Sequence, residues 1–294
     1  MPPLFESNRY AAPDMSLAYD VGPNNGPPVV FIHGLGTRRQ DWRSTLPEFA
    51  SSRQVFALDL RGHGDSGRVA GGYKFSQYTE DIVPWLRDVV GEPAALVGHS
   101  LGGVVATMIA ADHPELVSTI VAVDPPLFSK RHPDDGNPNK YRERFKRAQD
   151  LAASGMTEIG MFTMLQKRSP GRPTYVTRAL ARNLIKLDPD VFTLALEGGK
   201  QLDFEPDDLV ERVASPMLLM RADPEKGSAV REEDAEWATG KNSLISSILI
   251  EDSVHEIHHS HRDEFVKAVS EFIYVEPAPE TDSEPETETE SGEE

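Results

Sequence analysis

The sequence predicts an α/β fold in which a mostly parallel sheet is flanked by helices and a helical region is inserted. Two observations predict it. Short apolar runs rich in β-branched residues alternate with longer segments of helical periodicity. That alternation stops over residues 126–213, where helical periodicity alone continues. Near-continuous apolar runs are typical of parallel strands covered on both faces.

The alternating part predicts a sheet whose ligand lies at the carboxyl ends of its strands, as is general for sheets of this type. The expected strands cover residues 17–21, 29–32, 55–58, 95–98, 119–123, 217–220 and 247–250. The expected helices between them cover residues 42–51, 76–90, 102–111, 230–238 and 261–274.

The inserted region predicts a helical cap. Helical periodicity runs through residues 141–151, 158–166 and 174–187. We therefore divide the chain into a core of residues 1–125 and 214–275, a cap of residues 126–213 and a tail of residues 276–294. A cap over the strand ends would exclude water and shape a substrate pocket.

A single serine stands between two glycines where a strand gives way to a helix. Gly98-His99-Ser100-Leu101-Gly102 follows a short apolar run and precedes a helix-forming one. Glycines on both sides allow a sharp turn that exposes the serine hydroxyl, and the first amides of the helix point toward the same place. This pattern predicts that Ser100 is a nucleophile and that the amide of Leu101 helps to stabilise an oxyanion.

A second amide donor is expected in the loop after the second expected strand. The apolar run at residues 28–32 leads into His33-Gly34-Leu35-Gly36, a glycine-bearing loop that can turn a backbone N–H toward the serine. The amide of Leu35 is the best candidate, and it would pair with the amide of Leu101.

Three segments together resemble serine hydrolases of the α/β-hydrolase fold, of the esterase-like and lipase-like kind with a helical cap. They are residues 33–36 (HGLG), residues 59–66 (DLRGHGDS) and the turn around Ser100, and they occur in the order and spacing of that family. The resemblance implies a catalytic triad with Ser100 as the nucleophile. It also implies that residues 59–66 form a structural turn beside the site, without a catalytic role.

The resemblance places the catalytic base after the last strand, where His255 stands. The lead-in Asp252-Ser253-Val254 replaces the family's usual glycine-containing one. Histidines 258, 259 and 261 crowd the same segment. A metal site is disfavoured there, because neither cysteine nor a clear acidic ligand pattern accompanies them.

The acid of the triad is left open among three carboxylates. Asp223 and Glu225 follow the strand at residues 217–220, where the resemblance expects the acid. Asp124 ends the strand at residues 119–123, where some relatives place it. We rank Asp223 first, Asp124 second and Glu225 third. The residues expected to line the substrate pocket are Gly34, Trp42, Phe128, Met161 and His258.

Composition narrows the function classes. The chain has 294 residues, no cysteine and a net charge of −18, and half of that imbalance lies in the acidic tail, which should be disordered. The acidity argues against nucleic-acid binding, and no apolar run is long enough to span a bilayer. With no signal peptide or dinucleotide motif, we expect a cytoplasmic enzyme, monomeric or homodimeric, without cofactor or metal.

The expected reaction is hydrolysis of a small-molecule carboxylic ester through an acyl-enzyme intermediate. Lactonase, carbon–carbon bond hydrolase and perhydrolase chemistry on the same triad remain open. A ligand receptor with vestigial hydrolase activity is the alternative from another class, because a fold does not by itself determine a function.

Overall fold

The computed structural model describes residues 4–132, 138–197 and 202–274. Its centre is an eight-stranded sheet in the order β1-β2-β4-β3-β5-β6-β7-β8. The strands are β1 (Glu6–Ala11), β2 (Ser16–Val21), β3 (Pro28–Ile32), β4 (Gln54–Leu58), β5 (Ala94–His99), β6 (Val117–Val123), β7 (Met217–Arg221) and β8 (Ile245–Leu249).

The pairings from β4 through β3 and on to β8 are all parallel, whereas β2 pairs antiparallel with both β1 and β4 and so runs opposite to the other strands. Side chains alternate between two cores, because successive residues of a strand point to opposite faces. On β3, Val30 and Ile32 pack on one face, whereas Val29 and Phe31 pack on the other. The predicted fold class, a mostly parallel sheet with helices on both faces, is confirmed.

The helices around the sheet fall where the alternating pattern predicts them, with two differences. Residues 42–51 form only the end of a 3₁₀ turn (Arg39–Trp42) and one short helix, and the short helix at Ile257–Ser260 was not predicted. Strand β1 was not predicted either. The helices are α1 (Leu46–Phe49), α2 (Phe75–Trp85), which continues as a π-helical turn (Leu86–Val90), α3 (Leu101–Asp112), α9 (Glu232–Lys241), α10 (Ile257–Ser260) and α11 (Arg262–Ile273).

A group of helices, which we call the helical segment, separates β6 from β7. It consists of α4 (Pro138–Ala152), α5 (Glu158–Arg168), α6 (Thr174–Ile185), a 3₁₀ turn (Pro189–Phe192), α7 (Thr193–Glu197) and α8 (Pro206–Arg212). A small apolar core of Met161, Leu165, Ala181 and Leu184 joins α5 to α6.

The helical segment rests on loops at the carboxyl edge of the sheet. The N–H of Asp188 donates to the carbonyl of Gly62, 2.7 Å away, after β4. Arg38, after β3, donates to the Asn183 side chain over 2.9 Å. The Arg144 guanidinium lies 3.5 Å from the Glu256 carboxylate, after β8.

The expected tail at residues 276–294 lies outside the described residues. Within the described ranges, no helix combines the length and the apolar character needed to cross a bilayer.

Candidate active site

Ser100 occupies a strained turn between β5 and α3. Its backbone has φ 50° and ψ −115°, which few non-glycine residues adopt. The N–H of Ser100 donates to the carbonyl of Val123 at the end of the neighbouring strand, over 2.9 Å. Such strain persists only where the surroundings over-determine the backbone, and it is common at functional sites.

The two glycines that flank this turn are required by close backbone approach. A Cβ on Gly98 would lie 2.2 Å from the carbonyl oxygen of Gly102, and a Cβ on Gly102 would lie 2.2 Å from that of Ile32. Any side chain at either position would therefore drive the turn apart. The glycine spacing seen in the sequence has this steric cause.

Asp124 follows β6 and is fully buried, with a positive φ of 44°. Its carboxylate accepts hydrogen bonds from several groups of the loop after β7. These donors are the Ser228 hydroxyl (2.6 Å) and the backbone N–H groups of Ala222 (3.4 Å), Ala229 (2.9 Å) and Val230 (3.3 Å). The loop therefore holds the carboxylate in one orientation.

His255 joins this carboxylate from the loop after β8. Its Nδ1 lies 2.7 Å from Oδ2 of Asp124, and its side chain is about a quarter exposed at 26%. The Nδ1–H donates to the carboxylate, so Nε2 is left unprotonated and available as a base. His99, next to Ser100 in the chain, has its Nε2 3.0 Å from the carbonyl oxygen of His255.

Within the described part of the chain, the two other candidate acids form no hydrogen bond or ion pair with His255, which corrects the ranking that put Asp223 first. The Asp223 carboxylate accepts the N–H of Glu225 (2.9 Å) and the N–H of Asp252 (2.9 Å). Asp223 therefore caps a 3₁₀ turn and ties the loop after β7 to the loop after β8. Glu225 is exposed on that same turn.

The loop after β3 approaches the serine closely. A Cβ on Gly34 would lie 3.3 Å from Cβ of Ser100 and 2.7 Å from Nδ1 of His99, so only glycine fits without displacement. Within the described ranges, neither the N–H of Leu35 nor that of Leu101 donates to another protein group. These two amides are the predicted oxyanion donors, and both remain free.

Two buried histidines, one in this loop and one in residues 59–66, tie the two segments together. The N–H of Gly36 donates to Nε2 of His63 (3.1 Å), and the N–H of Leu60 donates to Nε2 of His33 (3.0 Å). Each ring must therefore be neutral with its proton on Nδ1, and each Nδ1 contacts a backbone carbonyl at 2.8 Å. Burial lowers the pKa of His33 to about 4 and that of His63 to about 3.

Carboxylates and an arginine complete this support. The Asp59 carboxylate accepts the N–H of Arg39 (2.7 Å) and the N–H of Asp65 (2.8 Å). Arg61 forms a buried, two-pronged ion pair with Asp81 on α2, at 2.6 and 2.7 Å. These contacts are structural, in keeping with the role that the resemblance implies for this segment.

Four residues expected to line the pocket pack elsewhere, which corrects those expectations. Trp42 is fully buried and stacks on His258 and Phe265, with ring centroids 4.3 and 5.8 Å away. Phe128 is buried in the core, and its ring centroid lies 6.2 Å from that of Trp237 on α9. Met161 belongs to the small core between α5 and α6. His258 is buried, and its Nε2 lies 3.1 Å from Oδ2 of Asp41.

Several residues near the site carry no sequence signal that would have singled them out. A Cβ on Gly36 would lie 3.4 Å from the ring of Phe192, which therefore borders the loop that bears the Leu35 amide. Ser228, Ala229 and Val230 orient Asp124 through ordinary loop groups. Asp41 pairs with His258 and His259, which follow β8 and lie more than two hundred positions later in the chain.

Comparison with known proteins places the chain in one family. The sequence model of the alpha/beta hydrolase family matches residues 29–268. The pimeloyl-[acyl-carrier protein] methyl ester esterase of Aeromonas hydrophila is 28% identical over 253 residues, which are 84% of this chain and 96% of that protein.

Solved structures share the fold at low sequence identity. The N-formylmaleamic acid deformylase of Pseudomonas putida S16 aligns with a TM-score of 0.74 at 19% identity, over 90% of this chain and 100% of that one. The carboxylesterase CesB of Bacillus subtilis aligns with a TM-score of 0.70 at 18% identity, over 93% of each chain.

Proposed function

The chain belongs to the alpha/beta hydrolase family and is a hydrolase of that family, and from this premise we propose that it cleaves carboxylic esters with a Ser100–His255–Asp124 triad. One observation carries the proposal. The imidazole of His255 and the buried carboxylate of Asp124 lie 2.7 Å apart, with His255 linked through its carbonyl to the residue beside Ser100. The matching esterase of Aeromonas hydrophila supports ester chemistry.

In the first step, Ser100 Oγ attacks the ester carbonyl carbon while its proton moves to Nε2 of His255. Asp124 holds the Nδ1–H tautomer and stabilises the imidazolium that forms. The carbonyl electron pair moves onto oxygen, and the amides of Leu35 and Leu101 stabilise that negative charge. The carbon–oxygen bond to the alcohol then breaks, and Nε2 returns the proton to the leaving oxygen.

In the second step, water replaces the alcohol. His255 takes a proton from the water while the water oxygen attacks the acyl carbon, and the same two amides stabilise the oxyanion. The bond between the acyl carbon and Ser100 Oγ then breaks, His255 gives the proton to Oγ, and the acid product leaves. The cycle needs no group beyond the substrate and water.

The helical segment acts in this proposal as the cap over the site. Its support is the set of contacts to the loops after β3, β4 and β8, all at the carboxyl edge of the sheet. A cap resting there excludes water from the acyl-enzyme and limits which acyl groups enter.

We propose further that the preferred ester carries a negative charge. Residues 138–187 hold eleven Lys or Arg and three Asp or Glu, a net charge of +8 in a chain of net charge −18. An open groove of about 600 Å³ beside α4 is lined by Arg142, Lys146 and Arg147 and also by Glu143 and Asp150, and neither Ser100 nor His255 lines it. Residues 188–212 have a net charge of −6, so the helical segment as a whole is at +2 and its positive charge is concentrated in residues 138–187. A basic surface on these helices would raise the local concentration of anionic substrates.

The nucleophile is tested by Ser100→Ala. Multiple turnovers of a p-nitrophenyl acyl ester by the unchanged protein should fall to background in the variant, and the melting temperature should stay near that of the parent. Near-normal turnover by Ser100→Ala would refute the proposal, and so would a single slow turnover by the unchanged protein.

The charge preference is tested with a p-nitrophenyl half-ester of a dicarboxylic acid and a neutral ester of equal length. We expect kcat/KM to be several-fold higher for the half-ester at low ionic strength, and salt should reduce that advantage. Arg144→Gln should reduce it as well. Arg87→Gln is the matched control, since Arg87 is also an exposed arginine in a surface ion pair. Equal kcat/KM values at low salt would contradict the preference.

A further inference from the structure

A cluster of one carboxylate and three histidines lies next to Ser100 and His255, and the proposed reaction does not use it. Asp41 shares its carboxylate between Nε2 of His258 (3.1 Å) and Nε2 of His259 (2.9 Å). The rings of His99 and His258 are 4.8 Å apart, centroid to centroid. One ligand atom from each of Asp41, His99 and His258 lies within 4.8 Å of the others.

Two of these rings hold lone pairs that nothing else uses. His258 donates its Nε2–H to Asp41, and His99 donates its Nε2–H to the carbonyl of His255. Each Nδ1 is then unprotonated, and among the residues that the structure describes both Nδ1 atoms are buried without a hydrogen-bond partner. Buried polar atoms are nearly always paired, so two unpaired ones in one cluster call for an explanation.

The spacing suits a small transition-metal ion. Bonds of about 2.0–2.2 Å to nitrogen and oxygen place neighbouring ligands of a tetrahedral ion about 3.3 Å apart. No pair of the three ligand atoms is more than 4.8 Å apart, so the most distant pair must contract by at most about 1.5 Å. Asp41 is only partly buried and the His259 side chain is 44% exposed, so an ion can enter from that side.

We propose that Asp41, His99 and His258 form a binding site for a divalent transition-metal ion of the zinc class, with His259 at its entrance. Imidazole and carboxylate are ligands that such ions accept. Binding displaces the proton of any ring nitrogen that becomes a ligand.

The position of His99 gives the site a consequence for catalysis. His99 precedes Ser100 in the chain, and its ring donates a hydrogen bond to the carbonyl of His255. An ion that binds the His99 ring therefore disturbs both Ser100 and His255 of the proposed triad. Metal binding should therefore inhibit ester hydrolysis, a consequence that rests on the proposed function.

Binding is measured without reference to activity. The full chain, freed of metal by a chelator and dialysed, is titrated with Co²⁺ while visible absorbance is followed, and with Zn²⁺ by calorimetry. We expect one ion per chain. Loss of a direct ligand in Asp41→Asn or His258→Gln should weaken binding at least about tenfold, since even outer-shell changes cost about 10–100-fold.

Two further variants locate the ion. His132→Gln is the matched control, because the Nε2 atom of His132 lies 2.7 Å from the carboxylate of Asp234 and His132 is not part of this cluster. This variant should bind the ion as tightly as the parent does. His255→Gln removes the proposed catalytic base and should also retain binding. Asp41→Asn, nearly isosteric, decides the test if His258→Gln fails to fold.

No uptake by the parent chain would overturn the proposal, as would unchanged binding by Asp41→Asn or loss of binding only in His255→Gln. The activity arm is separate: Zn²⁺ should inhibit ester turnover in the parent, a chelator should restore it, and Asp41→Asn should resist inhibition. If the parent chain shows no esterase activity, the proposed function is refuted. The metal site is then decided by the binding measurements alone.

Discussion

At the scale of single residues, the environment of Asp124 distinguishes it from Asp223. Both follow strand ends, and both carboxylates accept backbone N–H groups. Asp124 is fully buried and reaches the imidazole of His255, whereas Asp223 uses its two oxygens to close a turn and to hold the next loop. We therefore assign Asp124 the orienting role and Asp223 a positioning role in the neighbouring loops.

Exchanging each carboxylate for its amide tests that assignment. Asp124→Asn should reduce kcat for a p-nitrophenyl ester by about 10³–10⁴-fold, because an amide does not stabilise the imidazolium and favours the wrong tautomer. Asp223→Asn should reduce kcat by less than about tenfold, since its hydrogen bonds are remote from the imidazole. Melting temperatures of both variants control for folding. A larger loss in Asp223→Asn would reverse the assignment.

At the scale of elements, the turn between β5 and α3 depends on backbone packing. Gly102 lies where α3 begins, and its Cα faces the carbonyl of Ile32 at the end of β3. A helix start that close to a neighbouring strand requires residues without a Cβ. The strained backbone conformation of Ser100 is thus a consequence of how tightly α3 approaches the sheet.

Alanine at Gly102 should destabilise the protein by about 1–3 kcal/mol or more, because its Cβ would meet backbone rather than a movable side chain. Gly240→Ala is the matched control. Gly240 lies in α9 with open space around it, and alanine there should stabilise by up to about 1 kcal/mol. Urea unfolding measures both changes. Equal stability of the two variants would show that the turn can relax.

At the scale of the whole molecule, burial of neutral histidines makes stability depend on pH. His33 and His63 accept N–H groups through Nε2, so neither can take a second proton without losing a hydrogen bond. Their pKa values in the folded protein, about 4 and about 3, are below the ordinary value near 6.5. Below about pH 6.5, the unfolded chain binds protons that the folded chain does not.

The free energy of unfolding should therefore fall as pH decreases from about 6.5 toward about 4, by up to about 1.4 kcal/mol per pH unit for each histidine. Urea unfolding between pH 7.5 and pH 5 measures the slope. His63→Gln should have a shallower slope than the parent, whereas His113→Gln, at a partly exposed histidine on the surface, should keep it. Parallel slopes for the parent and His63→Gln would contradict this explanation.

Much of the fold was predictable because its signals are local. Apolar runs mark β3 to β7, and the glycines around Ser100 mark the sharp turn. The short β1 was missed because it is largely exposed and lacks the apolar run that the other strands show. Trp42, Phe128 and Met161 were expected in the pocket because large apolar side chains suit both a pocket and a core, and only packing distinguishes the two.

By itself, the sequence determined the fold class, the family resemblance, the turn at Ser100 and the late position of His255, because each depends on neighbouring residues or on chain order. Only the tertiary structure decided that Asp124 contacts His255, that Ser228 and its neighbours hold Asp124, and that Asp41 meets His258. Those pairs lie far apart in the chain, and they come together through the register of parallel strands and the course of the loops beyond them. A contact of that kind leaves no pattern in the sequence around either partner.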